Sequence, residues 1–474
     1  MTRRVGEELG VQVRDLVVLL PDFRYRAVDA SGVVEHEVCP VYWGRVDHEP
    51  TPDPDEVMDH AWVLWTDAVE ALGRTPQVFS PWMGLQVPLL SRDLSAEPPR
   101  APRVHPNAAD LAAPSASPFP GVEETLAQVE RLLKTETRWT QAVWPSTGLQ
   151  PEDDPVLEQD LPTWLAGLVD GRGKMIRPRM CHWGYVAAGG AGDVQAYADL
   201  CRAAAALELL HVFALIHDDV MDESEWRRGR PAAHAQARDW HRLAGGHGSA
   251  TRFGDNVAIL LGDLAHMQAD HLVAGLPEPF RDAWHELCAE LIAGQGADLT
   301  GAAIASRSYE QADRVARLKS GSYTIERPLL LGAVAAGISD RGHQSLAAYG
   351  ERLGCAFALR DDILGVWGDP AVTGKSSGDD LRSRKPTVLW MLAEESLEGA
   401  GRDALHRVGT GDERPDDVSV VQQAMVDAGI RTEGEHRVNR MVAGALEDME
   451  TDCLTPEGVE GLTEMARRVA WRAA

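Results

Sequence analysis

Beyond residue 121 the apolar positions recur three and four apart. LCRAAAALELLHVFALIHDDVMD (200–222) and LGDLAHMQADHLVAGL (261–276) show it most clearly. That period lays one apolar stripe along a helix and turns the other faces to water. Alanine, leucine, glutamate and arginine, all good helix formers, fill these stretches, so the larger part of the chain is predicted to be helix. Before residue 94 the pattern changes. DLVVLL, FRYRAV, GVVEHEVCPVYWGRV and HAWVLW are short, β-branched or aromatic, and set off by Asp, Gly and Pro, as strands are. Between the two regions, LSAEPPRAPRVHPNAADLAAPSASPFPG (94–121) is rich in Pro, Ala and Ser, which predicts a linker. The expected organisation is an α/β or mostly β segment at 1–93, a linker at 94–121 and a mainly α, all-helical part at 122–474.

A chain of 474 residues is long for one core, in keeping with a large unit and a smaller one. Its net charge of −27 argues against a phosphate-coating surface, so nucleic acid is not an expected partner. The run LLLGAVAAGI (329–338) is about ten residues, roughly half of what spans a bilayer, and no transmembrane segment is expected. MTRRVGEELG lacks the apolar stretch of a signal peptide. Six scattered cysteines without CxxC spacing fit reduced thiols in a cytoplasmic setting.

Candidate chemistry gathers in ALIHDDVMDESEWRRGRP (214–231). Asp218, Asp219 and Asp222 end an apolar-periodic helix; i and i+4 share a face and i+1 flanks it, so the three carboxylates can converge. Taken alone, such a pattern is more often a solvated acidic helix end. A second acidic pair, Asp361 and Asp362, stands in the comparable setting CAFALRDDILGVWGDPAVTGKSSGDDLRSRKPTVL. Two facing carboxylate clusters suit Mg²⁺, which binds a diphosphate through hard oxygen contacts. Basic residues accompany each cluster: Arg227 and Arg228 after the first, Lys375 and Lys385 after the second, and Lys174 and Arg177 in GRGKMIRPR. Fixed cations of this kind suit a pair of diphosphates.

In order, GRGKMIRP, HVFALIHDDVMD, RRGRP, GDNVAILLGDLAHMQAD, RLKSGSYTIERPLLLG and LRDDILGVWGDPAVTGKSSGDDL resemble the trans-isoprenyl diphosphate synthases of the polyprenyl synthetase family, from about residue 122 to the end. The resemblance implies an all-helical isoprenoid synthase bundle around a deep cavity, usually as a homodimer. It implies Asp218, Asp219 and Asp222, with Asp361 and Asp362, as catalytic Mg²⁺ ligands. Lys174, Arg177, His211 and Arg228 match the site for isopentenyl diphosphate. Arg227, Lys319, Ser320, Lys375 and Lys385 match the site for the allylic diphosphate. The implied reaction is Mg²⁺-dependent ionisation of the allylic diphosphate and attack by the double bond of isopentenyl diphosphate.

Two positions depart from the family pattern. Gly365 ends the second motif where many members have a third aspartate, and Ala358 stands where a glutamine commonly contacts the allylic diphosphate, which is expected to slow turnover or shift substrate choice. Phe213 and Ala214 lie about one helical turn, ~5–6 Å, before Asp218 on the side a growing tail would take. One aromatic beside a small residue resembles the family's arrangement for four isoprene units, so geranylgeranyl diphosphate is the expected product. Replacing Asp218 and Asp219 by alanine is expected to abolish activity without unfolding, on the view that neither fills the core.

The segment PDFRYRAVDASGVVEHEVCPVYWGRV, with FSPWMGLQ, resembles the carboxyl-terminal part of a type I isopentenyl diphosphate isomerase, a Nudix-fold enzyme. Glu35 and Glu37 fall on its functional glutamates, Tyr25 and Trp82 on substrate-contacting aromatics, and Glu7 and Glu8 on the end of its Nudix box. The family's catalytic cysteine has no counterpart here, since Cys39 matches a different one. The segment is expected to be either part of a longer isomerase–synthase fusion or a remnant kept for packing or partner binding, without isomerase activity as it stands. For the larger part the alternatives are a class I terpene cyclase, which lacks paired residues such as Lys174, Arg177 and Arg228, and a non-catalytic scaffolding or regulatory subunit, which usually loses the aspartates.

Overall fold

In the computed structural model the chain divides into two compact units, Met1–His105 and Pro106–Ala474, and the boundary falls inside the Pro/Ala-rich stretch. The described residues are 119–147, 154–171, 173–227, 229–303, 308–369 and 377–470, with four strands and scattered positions between residues 11 and 90. In the first unit β1 (Arg14–Leu20) pairs antiparallel with β4 (Val41–Arg45), and β2 (Arg24–Val28) with β3 (Val34–Val38). These strands coincide with the β-branched and aromatic runs. Glu35 and Glu37 both belong to β3, opposite Ala27 and Tyr25 of β2. Glu7, Glu8, Cys39 and Trp82 lie outside the described residues.

The second unit is helical. Its elements are α1 (Val122–Val143), α2 (Leu161–Asp170), α3 (Ile176–Ala187), α4 (Val194–Met221), a two-residue hairpin of β5 (Trp226–Arg227) and β6 (Arg230–Pro231), α5 (Ala233–Leu243), α6 (Ala250–Ala274) and α7 (Glu278–Ala303). There follow α8 (Tyr309–Ala316), α9 (Arg327–Ala335), α10 (Asp340–Trp367), the single turn α11 (Asp379–Arg382), α12 (Val388–Ser396), α13 (Gly399–Arg407), α14 (Asp417–Asp427), α15 (Ile430–Asp448) and α16 (Pro456–Ala470). The helix starts are chemically marked. Side chains of Asp160, Asp193, Ser249 and Thr387 accept from first-turn N–H groups of α2, α4, α6 and α12. Ser308 and Gln311 form a capping box on α8. Each such cap satisfies an otherwise orphaned donor and contributes about 1 kcal/mol.

Helix α4 runs through the interior. Leu200, Ala203 to Leu207, Leu209 and Leu210 are fully buried, packed by α1, α3, α6 and α9. It is also the one described helix long and apolar enough to cross a bilayer by length and composition. Arg202 and Glu208 divide its apolar runs, so the length of unbroken apolar sequence did not mark it as a span; here it is a core helix. Between α8 and α9 the backbone widens into a π-helix, Arg317–Glu326, a form that recurs at functional sites. It crosses α10 at Gly321 and Gly354: a Cβ on Gly321 would lie 2.5 Å from the Gly354 carbonyl oxygen. Lys319, two residues before Gly321, reaches the end of α4.

Candidate active site

Asp218, Asp219 and Asp222 occupy the last turn of α4, and the Asp222 N–H donates to the Asp218 carbonyl at 2.8 Å. Carboxylates at a helix C-terminus oppose the helix dipole, so cations must gather around them. Two do. The β5–β6 hairpin, turned at Gly229 with φ +73°, folds Arg227 back so that its Nε donates to both Asp219 oxygens, at 2.8 and 3.1 Å. The same guanidinium lies 3.8 Å from Asp218 Oδ2. From the π-helix, Lys319 Nζ reaches Asp218 Oδ1 at 2.8 Å, Asp298 Oδ2 of α7 at 2.8 Å and Asp222 Oδ2 at 4.0 Å. Gln295 of α7 donates to Asp218 Oδ1 at 3.4 Å.

The second cluster joins the first through Lys385. This half-buried ammonium, just beyond α11, interacts electrostatically with Asp380, Asp362, Asp298 and Asp218. Asp380 most of all, with the other three, holds it well above the usual lysine range although burial opposes the charge. Burial, aided by Asp380, Asp361 and Asp298, pushes the Asp362 carboxyl well above the ordinary carboxylate range despite Lys385. Asp222 is likewise raised, by burial and by the charge of Asp218. Burial also disfavours the charged form of Asp218, but Lys319, Lys385 and Arg227 outweigh it and hold that carboxyl below the ordinary range.

The carboxylates Asp218, Asp219, Asp222, Asp298, Asp361, Asp362 and Asp380 thus outnumber Lys319, Lys385 and Arg227 around one region. Hard oxygen donors in excess, two of them with raised proton affinity, suit divalent cations that would take the place of those protons. Among the described residues no group of three acidic or histidine side chains is already gathered into a ready-made metal cage, because lysine and arginine occupy the centre. The residues fit Mg²⁺ as a donor set, with some of these ion pairs exchanged on binding.

Asp219 corrects one expectation. It is 3% exposed and clamped by Arg227, so alanine there would strand a partly buried guanidinium and cost stability as well as function. Asp218 and Asp222 are more open and keep the simpler reading. Arg177 and His211 come together around Tyr323: the Arg177 guanidinium lies 4.4 Å from the ring centroid, and the Tyr323 hydroxyl is 3.3 Å from His211 Nδ1. Arg177 is buried, donates to Thr324 Oγ1 at 3.0 Å and lies 3.8 Å from Glu208. Lys174 is exposed just before α3, and Ser320 follows Lys319 in the π-helix. Arg228 and Lys375 lie outside the described residues.

Phe213 sits between two histidines, its ring centroid 4.6 Å from His217 and 4.8 Å from His266, with Ala214 partly buried beside it. Ala358 is buried beside a small recess that it shares with Asp362, Asp313 and Arg317. Sequence reasoning missed Gln295 and Asp298, three apart on α7, whose only signal was a polar pair spaced to share a helix face. It also passed over Asp380, which looked like one more acidic residue in a loop.

The polyprenyl synthetase family pattern matches residues 158–427. A geranylfarnesyl diphosphate synthase of Aeropyrum pernix is 32% identical over 287 residues, 59% of this chain and 83% of that protein. The crystal structure of a geranylgeranyl pyrophosphate synthase from Corynebacterium glutamicum, complexed with isoprenyl diphosphate and magnesium, is similar with a TM-score of 0.67 and 34% identity, over 74% of this chain and 99% of that one. The amino-terminal region is similar to an isopentenyl-diphosphate Delta-isomerase of Mycolicibacterium vanbaalenii, 57% identical over 90 residues, 19% of this chain. The chain spans about half, 49%, of that isomerase.

Proposed function

The chain belongs to the polyprenyl synthetase family, and on that footing we propose that it condenses isopentenyl diphosphate with allylic diphosphates into a linear all-trans prenyl diphosphate, with geranylgeranyl diphosphate as the product. The observation that carries this reading is the meeting of both aspartate clusters around Lys319 and Lys385. One such group of carboxylates binds a cation; two facing groups with fixed ammoniums between them suit a diphosphate leaving group.

Magnesium, held by Asp218, Asp219 and Asp222 on one side and Asp361 and Asp362 on the other, would supply Lewis-acid stabilisation of the departing diphosphate. Lys319, Lys385 and Arg227 add fixed positive charge where negative charge develops as the allylic C–O bond breaks. Arg177, packed on Tyr323, and His211 mark the place for isopentenyl diphosphate, whose double bond forms the new C–C bond. A proton then leaves the adjacent carbon for the released diphosphate, since among the described residues no side chain in the site stands apart as a base. The apolar residues of α4 around Phe213 keep water from the cation.

Phe213 is proposed as the floor that sets product length, its ring held by His217 and His266. A homodimer is supported by exposed apolar residues on α6 and α7: Leu260 with Met267, and Ile292 with Leu299, each pair seven apart and so on one helix face. Light scattering after size exclusion tests it, and a monomer at micromolar concentration would remove it. A cytoplasmic setting is supported by Cys181, Cys201, Cys288, Cys355 and Cys453, all free thiols. The reaction itself is tested by incubation with Mg²⁺, isopentenyl diphosphate and an allylic diphosphate.

A further inference from the structure

Helix α1 is the first element after the Pro/Ala-rich stretch, and its inner face is polar as well as apolar. Leu126, Val129, Leu132 and Leu133 are buried, but so are Thr125, Gln128, Glu136, Thr137 and Thr140. Buried polar groups need partners, and Thr125 and Glu136 find theirs on histidines of two other helices.

At the start of α1, Thr125 Oγ1 lies 2.9 Å from His182 Nδ1 of α3 and 3.1 Å from the Tyr197 hydroxyl of α4. His182 is 1% exposed, and its buried Nε2 has no hydrogen-bond partner among the described residues. A proton added to this ring would bury a charge beside an N–H that nothing accepts, so the contact requires the neutral form. Farther along α1, His271 Nδ1 of α6 lies 2.8 Å from the buried Glu136 carboxylate, and the Trp139 indole stacks on the imidazole at 4.7 Å and 13°. Carboxylate and aromatic face both favour the imidazolium, so this contact requires the protonated form. Few other charges intervene. His182 is faced by Arg179 of its own helix, which pairs with Glu123 of α1 at 3.0 Å, and by Tyr197, beside Cys201 on α4; His271 is faced by Glu136, with Asp270 next to it on α6.

We propose that His182 and His271 form a pH-sensitive clasp on α1, opposite in their proton demands, so that the helix is held most tightly near neutral pH and opens more readily on either side. Burial, then Arg179, lowers the His182 pKa to about 3. Its hold is therefore complete above the ordinary value of about 6.5 and fades as pH falls towards the folded one. The hydrogen bond to Glu136, with its charge, raises the His271 value although burial opposes it. That hold is complete below about 6.5 and is lost as pH rises through the folded value. A third tie, Gln268 Nε2 donating to Thr140 Oγ1 at 2.6 Å, involves no titrating group and is indifferent to pH.

Hydrogen exchange of the full chain tests this, read by mass spectrometry at pH 5.5, 6.5, 7.5 and 8.5 and corrected for intrinsic rates. A histidine that titrates near 6.5 with α1 open and near 3 with it docked changes the opening equilibrium about fivefold between pH 6.5 and 5.5, and fuller protonation of His271 returns up to about twofold. Protection across α1 should therefore fall about three- to fivefold over that interval, and fall again by pH 8.5. Helix α14, which contains no histidine, should show neither limb. His182→Asn should remove the acid limb alone and Glu136→Gln the alkaline limb alone, while Thr140→Val should lower protection by one factor at every pH. Circular dichroism shows that each variant is folded, and the wild-type profile is decisive without them. Flat protection of α1 in the wild type overturns the proposal, as do limbs shared by α14, which would report opening of the whole unit. An acid limb that survives in folded His182→Asn, an alkaline limb that survives in folded Glu136→Gln, or a Thr140→Val profile reshaped like either of theirs overturns it as well.

Discussion

Lys319 is the cation most exposed to quantitative test. Its ammonium lies 2.8 Å from both Asp218 and Asp298, and the three side chains are 12%, 21% and 10% exposed. At an effective dielectric of about 20, each contact is worth roughly 6 kcal/mol of gross Coulomb energy, most of it offset by desolvation. Removing one partner of a buried pair typically costs ~3–5 kcal/mol. Lys385 and Arg227 remain to share the carboxylates, so Lys319→Met should cost about 2–4 kcal/mol without Mg²⁺. For a unit of roughly 350 residues, with an unfolding entropy near 2.1 cal/mol/K per residue, that is a fall in Tm of about 3–5 °C. Added Mg²⁺ should raise Tm more in the variant than in the wild type, because metal then replaces the missing cation. The sign with pH follows from Asp218, whose folded pKa lies below its ordinary value. Its stabilisation is full above the unfolded pKa and fades as pH falls through the folded one, so the gap between variant and wild type should hold down to about pH 4 and narrow only below it. Differential scanning fluorimetry at pH 7.5 and pH 3, with and without MgCl₂, reads all of this. An unchanged Tm, or a Mg²⁺ shift no larger than that of the wild type, would refute the picture of Lys319 as the cation that holds the clusters together without added metal.

Other consequences are as definite. Phe213→Ala should lengthen the dominant product by at least one isoprene unit, seen by chromatography of the dephosphorylated alcohols; an unchanged distribution takes Phe213 out of the account. His182 is buried, with Thr125 Oγ1 2.9 Å from its Nδ1, and burial followed by Arg179 lowers its pKa to about 3. The unfolded chain therefore takes up this proton first, and stability should fall by about 1.4 kcal/mol per pH unit below 6.5. Urea titrations between pH 7 and 5 should show a shallower decline in His182→Asn, and parallel curves would contradict the assignment.

The helical unit and both aspartate clusters were legible because each depends on spacing within one segment: apolar period for the helices, i and i+4 for the carboxylates. Lys319 and Lys385 were found by their place in an ordered series of motifs. What stayed hidden depends on which distant segments meet. Asp298 matters because α7 crosses the π-helix at Lys319, and nothing in its local sequence marks that crossing. Gly365 takes one carboxylate from the second motif, and no periodicity predicts that the Asp380 carboxyl, fifteen positions later, lies in the space above it. Asp219 looked dispensable to the fold because exposure at a helix end was assumed, while the hairpin that folds Arg227 over it depends on the left-handed turn at Gly229.

The central claim is prenyl elongation. Purified protein incubated with Mg²⁺, isopentenyl diphosphate and, in turn, dimethylallyl, geranyl and farnesyl diphosphates should yield geranylgeranyl diphosphate as the dominant product by chromatography, and none when Mg²⁺ is chelated. Folded protein that releases diphosphate without lengthening any allylic primer, or gives a cyclised hydrocarbon instead, would contradict it.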